Sequence, residues 1–249
     1  MPFASTIGLP FIELQQVEST NNYATGLVHA GMARHGMAVF ANHQTAGKGQ
    51  RYKKWHGDAN KNIALSVIIK PDGFSLSQSF LFSMATAVGV YCFLKSYAGD
   101  EIKIKWPNDI YWRDRKTAGI LIENTVQGSS WKWSVIGVGI NINQTSFDQV
   151  ASKAVSLKQI TGKDFEPVQL AKELCTFLEN AFDTLHQSDE TIIDTYKKNL
   201  FRLGETGVFR KEGRVFTGTV TDVTTHGQLV VQGAIEERFD VGEIEWVIK

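Results

Sequence analysis

The sequence predicts an α+β fold: a larger N-terminal unit over residues 1–200 and a small SH3-like β-barrel over residues 201–249. Three observations predict it. Strand-like segments and apolar helical stretches are interspersed up to about residue 143. Two helical stretches then close the first unit, over 167–187 and 189–199. From Gly204 onward the chain becomes short β segments punctuated by glycines at 207, 213, 218, 227, 233 and 242.

Each element has its own signal. Phe11–Val17 reads as a strand, and Ser19 as the N-cap of a helix running to about Ala33. Met37–His43 is a strand, followed by a polar, glycine-containing loop over Gln44–Asn62, and Ile63–Lys70 is a strand again, stopped by Pro71. Leu76–Tyr97 is apolar on most sides, the pattern of a buried helix. Ile102–Lys105 and Asp109–Trp112 flank a turn at Pro107–Asn108, and Ala118–Val126 pairs as a hairpin with Trp131–Ile142. Strand periodicity puts Trp131 and Trp133 on one face, as core or interface residues.

Composition narrows the function classes. Formal net charge is zero over 249 residues, so the chain as a whole is not a polyanion binder, and acidic residues crowd 236–245, which argues against a specific nucleic-acid partner. No apolar run reaches the roughly 18–20 residues of a membrane span, and the N-terminus lacks a signal-peptide pattern. With only Cys92 and Cys175, read as buried reduced thiols, a cytoplasmic location away from membranes is expected. The six histidines are scattered without ligand spacing, so no protein-held metal is expected.

Five segments carry groups with chemical potential. Residues 44–55 place Lys48, Arg51, Lys53 and Lys54 among the glycines Gly47 and Gly49, with Trp55 at the end. Glycines let backbone N–H groups approach an anion, lysines neutralise it, and an indole can cover a base, although a solvated basic loop would read the same way. The loop lacks Walker A spacing. Lys105-Trp106-Pro107-Asn108-Asp109 is a stiffened turn with polar groups, or an ordinary Asx turn. In Lys116-Thr117-Ala118-Gly119-Ile120-Leu121-Ile122-Glu123, the lysine stands at the mouth of an apolar strand. Gly137-Val138-Gly139-Ile140-Asn141-Ile142-Asn143 is an incomplete GxGxxG; its two asparagines, two residues apart, share a strand face that could read an adenine edge or simply meet solvent. Glu18-Ser19-Thr20-Asn21-Asn22 is a helix cap with hydroxyl and amide groups that could bond a small polar ring.

In this order and spacing the five segments resemble the biotin–protein ligase (holocarboxylase synthetase) family, and the resemblance spans nearly the whole chain. It implies a mixed sheet with helices on one side, related to the catalytic domains of class II aminoacyl-tRNA synthetases, plus an SH3-like C-terminal domain. The first motif begins at Glu18, so a form without the family's N-terminal DNA-binding domain is expected. By resemblance, Ser19, Thr20, Asn21, Gln44, Gly47, Lys48, Gly49, Gln50, Lys116 and Gly119 would surround biotin. Lys53, Trp55, Asn108, Lys116 and Asn141 would hold ATP, and Lys116, Lys48 and Asp109 would be catalytic. The loop departs from the common GRGRxGxxW pattern at Lys48, Gln50 and Tyr52, which weakens the expected grip on an adenylate.

The implied reaction uses ATP and biotin as substrates with Mg²⁺, forms biotinyl-AMP, and transfers biotin to a lysine of a biotin carboxyl carrier protein, the enzyme being a monomer or homodimer. The alternatives are a lipoate or octanoyl ligase, which would need a mostly apolar tunnel, and a non-enzymatic biotin or nucleotide sensor.

Overall fold

A computed structural model describes residues 6–147 and 153–247; the remaining residues of the two expected domains, and the side chain of Tyr52, lie outside it. Seven strands form the first sheet: β1 (Phe11–Leu14), β2 (Ala38–Ala41), β3 (Asn62–Ile69), β4 (Ile102–Lys105), β5 (Asp109–Trp112), β6 (Arg115–Gln127) and β7 (Ser130–Asn141). Their order is β1-β2-β3-β7-β6-β5-β4. Only β1 and β2 run parallel, so the sheet is mixed.

Alternation along β3 and β7 decides which face is core. Ile63, Leu65, Val67 and Ile69, with Ile136, Val138 and Ile140, are buried in the main hydrophobic cluster. That cluster also holds the apolar faces of α2 (Ser79–Ala98) and α4 (Pro167–Gln187). The intervening positions, among them Ser66, Gly137 and Gly139, point to the opposite face. With Leu121 and Glu123 of β6 they build the floor of the site described below.

The helices are not all on one side, as the resemblance implied. α1 (Thr20–His29) covers part of the opposite face, where Ala24 packs with Met37, Val39, Ile68 and Val135 in a second, smaller cluster. α1 is also shorter than predicted. Ala30 caps it, and Gly31, at φ 69°, turns the chain where a left-handed residue is needed. A short α3 (Leu157–Thr161) and then α5 (Asp189–Lys198) complete the helices of this unit.

By length and composition Leu76–Glu101 is apolar enough to cross a membrane, contrary to the sequence expectation. Its apolarity has another physical reason: α2 lies between the sheet and α4 and α5, and residues on most of its sides are buried. The two tryptophans of β7 also depart from expectation. Thr125 pairs with Trp133 and Val126 with Trp131, leaving Lys132 as an extra, bulged residue. The bulge sends Trp131 into the main core against Phe82 (centroids 4.6 Å apart) and Trp133 to the α1 side.

The C-terminal strands are β8 (Thr206–Lys211), β9 (Arg214–Val223), β10 (Leu229–Gln232), β11 (Glu236–Phe239) and β12 (Glu245–Trp246). They form an antiparallel sheet ordered β11-β10-β9-β8-β12, compatible with an SH3-like unit. Gly213, Gly227 and Gly242 have positive φ and make the turns, whereas Gly207 and Gly218 face each other inside β8 and β9. This sheet is tied to the first. Phe201 packs on both Tyr111 and Trp246, and Trp106 Nε1 donates to Gly227 O at 2.8 Å.

Candidate functional site

The five segments converge on the sheet face not covered by α2 and α4. Residues 43–49, 51 and 53–58 form one wall of a cleft of about 1330 Å³, and Leu121 and Glu123 form its floor. The loop folds on itself as a small hairpin: Lys48 bridges to Lys54, Gly49 N–H donates to Lys53 O, and Trp55 N–H donates to Gly47 O. These N–H groups are therefore spent within the loop. The Gly49 N–H is thus not free for an anion, while the side chains of Lys48, Lys53 and Lys54 line the cleft. Gly47 is required for another reason: a Cβ there would lie 2.5 Å from Trp55 O.

The loop tip reaches the C-terminal sheet. Arg51 (φ 55°) donates to Gly242 O at 2.9 Å and Val241 O at 3.2 Å. Gln50 sits beside this clasp and lines a second, smaller cavity of about 210 Å³ with Asn108, Asn124 and His226. Gln50 thus faces a different cavity from Lys48, which lines the main cleft 4.0 Å from Glu123 Oε1.

Beneath the loop lies a buried polar network. Ser66 Oγ donates to Asn21 Oδ1 (2.6 Å) and lies 2.8 Å from Thr20 Oγ1. Thr20 donates through N and Oγ1 to Gln44 Oε1 (2.8 and 3.1 Å), and Asn21 Nδ2 donates to Glu123 Oε2 at 2.8 Å. Ser19 is the N-cap, accepting from Asn22 N. Ser66 and Glu123 belong to this network although neither was singled out as a site residue from the sequence. Their signal is faint: one serine on the off-core face of an apolar strand, and the residue that ends an apolar run.

Glycines clear the space above the sheet. A Cβ on Gly137 would overlap Asn21, and one on Gly139 would lie 2.5 to 2.9 Å from three atoms of the Trp55 indole. Gly119, paired with Gly139, would crowd both Lys116 and Trp55. The GxG element is therefore a pair of clearances on a strand and not a phosphate loop.

Beyond Trp55, Lys116 Nζ lies 2.5 Å from Asp109 Oδ1 and 6.0 Å from the Trp55 ring centre. Asp109 is directly opposite both Lys105 on β4 and Gly119 on β6. Asn108 Nδ2 donates to Ile120 O at 2.7 Å, holding the turn against β6. Burial pushes the Lys105 ammonium below its ordinary range; Asp109 opposes this, and Lys116 and Lys53 add to it.

The paired-amide expectation does not hold. β7 ends at Asn141, so Asn143 leaves the shared face and exchanges hydrogen bonds with the Phe165 backbone. Asn141 is buried and donates to the carbonyls of Lys116 and Val155. It shapes the site by holding the Val155 segment against the start of β6. Burial also raises both thiols, Cys175 to about 12, so neither is an activated nucleophile.

Comparison with known proteins gives a family and a fold. The Biotin/lipoate A/B protein ligase family model matches residues 13–141. The bifunctional ligase/repressor BirA of Bacillus spizizenii is 31% identical over 179 residues, 71% of this chain and 54% of the relative. The chain thus spans about half the length of that protein. The biotin–[acetyl-CoA-carboxylase] ligase of Paracoccus denitrificans is 28% identical over 232 residues, covering 88% of this chain and 93% of the relative. In fold, the chain superposes on the Aquifex aeolicus biotin protein ligase in complex with biotin and ATP with a TM-score of 0.80, at 22% identity, covering 96% of this chain and 98% of that one.

Proposed function

The chain belongs to the Biotin/lipoate A/B protein ligase family, and we propose that within it the protein is an ATP-dependent biotin–protein ligase. It forms biotinyl-5′-AMP and transfers biotin to a lysine of a biotin carboxyl carrier protein. One observation carries the choice of biotin: the hydrogen-bonded set Thr20, Asn21, Gln44 and Ser66, which meets the cleft through Gln44 and through the bond of Asn21 to Glu123. Such closely set donors and acceptors can exchange partners with a ureido ring, whereas a lipoyl or octanoyl chain offers no group to bond them.

In the first step a biotin carboxylate oxygen attacks the α-phosphorus of ATP, the bond to the bridging oxygen breaks, and pyrophosphate leaves. Lys116, oriented by Asp109, and Lys48 stabilise the charge that gathers on carboxylate and phosphate. Trp55 and Lys53 hold the nucleotide from the loop side, and Asn108 and Asn141 fix the strands beneath it. Magnesium enters as part of the nucleotide substrate. No cluster of three or more potential protein ligands occurs among the described residues, and Asp109 is already engaged by Lys116, which suits an ion held chiefly by phosphates. In the second step the carrier amine attacks the mixed anhydride and releases AMP, with Asp109 placed to orient the amine. Closure of the 44–55 loop excludes water from the anhydride.

Residues 1–200 would be the catalytic unit and 201–249 the partner sheet that holds the loop tip through Arg51. Two free cysteines suit the cytoplasm. The test is biotin-dependent exchange of pyrophosphate into ATP, run in parallel with lipoate and octanoate. Exchange with biotin alone supports the proposal; exchange with lipoate or octanoate alone replaces it with the rival ligase, and exchange with none of them favours a sensor.

A further inference from the structure

Lys105 is a cation on the polar face of the sheet to which neither the site assignments nor the mechanism above gives a role. Lys105 lies on β4 directly opposite Asp109, on the same face, yet the Asp109 carboxylate is taken by Lys116. The Lys105 ammonium stands 5.0 Å from the centre of the Tyr111 ring and makes no hydrogen bond or ion pair among the described residues. Tyr111 is itself buried beneath Phe201. Lys105 and Lys116 thus flank one carboxylate, and the positive charges of Lys116 and of Lys53, a residue of the cleft wall, both bear on Lys105. A half-buried ammonium with its donors unspent, inside a locally cationic corner, is arranged for an anion that arrives and leaves.

We propose that Lys105, with Lys53, binds the β- and γ-phosphates of the nucleotide and stabilises pyrophosphate as the bond from the α-phosphorus to its bridging oxygen breaks. The role belongs to the first half-reaction only, because the second releases AMP and no pyrophosphate. Lys116 serves the carboxylate and α-phosphate; Lys105 serves the leaving group. This assignment rests on the ligase reading, deepens it, and gives the KWPND turn a chemical reason to begin with lysine. Burial lowers the Lys105 ammonium, the expected cost of keeping a cation ready in a partly dry site.

The test uses Lys105→Met, which keeps the stem and removes the charge, and Lys105→Arg, which restores a cation. In the intact protein, pyrophosphate–ATP exchange should fall on the order of 10²-fold in Lys105→Met and recover partly in Lys105→Arg. Transfer from chemically prepared biotinyl-AMP to a carrier domain should fall less than about threefold. Calorimetry with inorganic pyrophosphate, which requires no biotin, should show at least about tenfold weaker binding to Lys105→Met than to wild type. Exchange within about threefold of wild type, or equal losses in exchange and transfer, overturns the assignment. If wild type shows no exchange with biotin, the ligase reading fails first, and equal pyrophosphate affinity in both proteins then overturns the Lys105 site independently.

Discussion

Replacing Gly137 by alanine tests whether the buried polar network recognises the small-molecule substrate. The new Cβ would overlap Asn21 Oδ1 and lie 2.9 Å from its Cγ and 3.1 Å from its Nδ2. Restoring ordinary contact moves the amide by about 1 Å. Asn21 is held by Ser66 at 2.6 Å and Glu123 at 2.8 Å, and a shift of that size takes both beyond hydrogen-bonding range. The neutral bond is worth about 1 kcal/mol and the one to the carboxylate about 1.5–3 kcal/mol. Glu123 is partly solvated and water can replace some of the second. About 2 kcal/mol of the energy that holds Asn21 in position is lost, and re-ordering the amide on binding costs up to that amount, roughly 30-fold in affinity. Calorimetric titration with biotin should show that loss, while AMP binding stays near wild type because Asn21 stands over Gly137 and Trp55 over Gly139, the next residue along the same face of β7. Biotin affinity within about threefold of wild type, in a protein whose Asn21 is displaced, would refute the role of the network.

Gly139→Ala should do the reverse: its Cβ pushes the Trp55 indole off the sheet, so the KM for ATP should rise about tenfold with biotin affinity little changed, read by exchange kinetics at varied ATP. Lys116→Ala should lower adenylate formation on the order of 10²–10³-fold by removing a fixed charge and leaving Asp109 unpaired, measured by pyrophosphate release; near-normal rates would remove Lys116 from this role. Lys105 also gives a pH test. Its folded-state pKa is lowered chiefly by burial, so the unfolded chain holds this proton more tightly, and the stability cost is complete below the folded pKa and lifts as pH rises through it. Lys105→Met should therefore melt above wild type at pH 7, with the gap narrowing in alkaline buffer; a gap independent of pH would contradict the assignment.

Much of the fold was legible because its patterns are local. β4, β5 and α4 have the bounds that apolar alternation and the Pro167 start predict. The departures came from geometry that residue patterns do not encode. A single bulged residue, Lys132, separates two tryptophans that period-two counting places together. A strand that stops at Asn141 removes Asn143 from its face. The site was legible as ordered motifs, but not in its division of labour. The loop glycines serve close packing, Arg51 is committed to the C-terminal sheet, and Asn141 ties backbone to backbone. Ser66 was invisible because a serine in an apolar strand carries no motif, and its meaning appears only when α1 brings Thr20 and Asn21 against it.

The central claim is that the cleft under the 44–55 loop makes an activated biotin and delivers it to a protein lysine. Intact-mass spectrometry of a purified biotin carboxyl carrier domain, incubated with the protein, ATP, magnesium and biotin, tests it most directly. The expected result is the mass gain of one biotinyl group on one lysine, dependent on ATP and strongly reduced by Lys116→Ala. An unmodified carrier under conditions where a known biotin ligase labels it would rule out ligase activity.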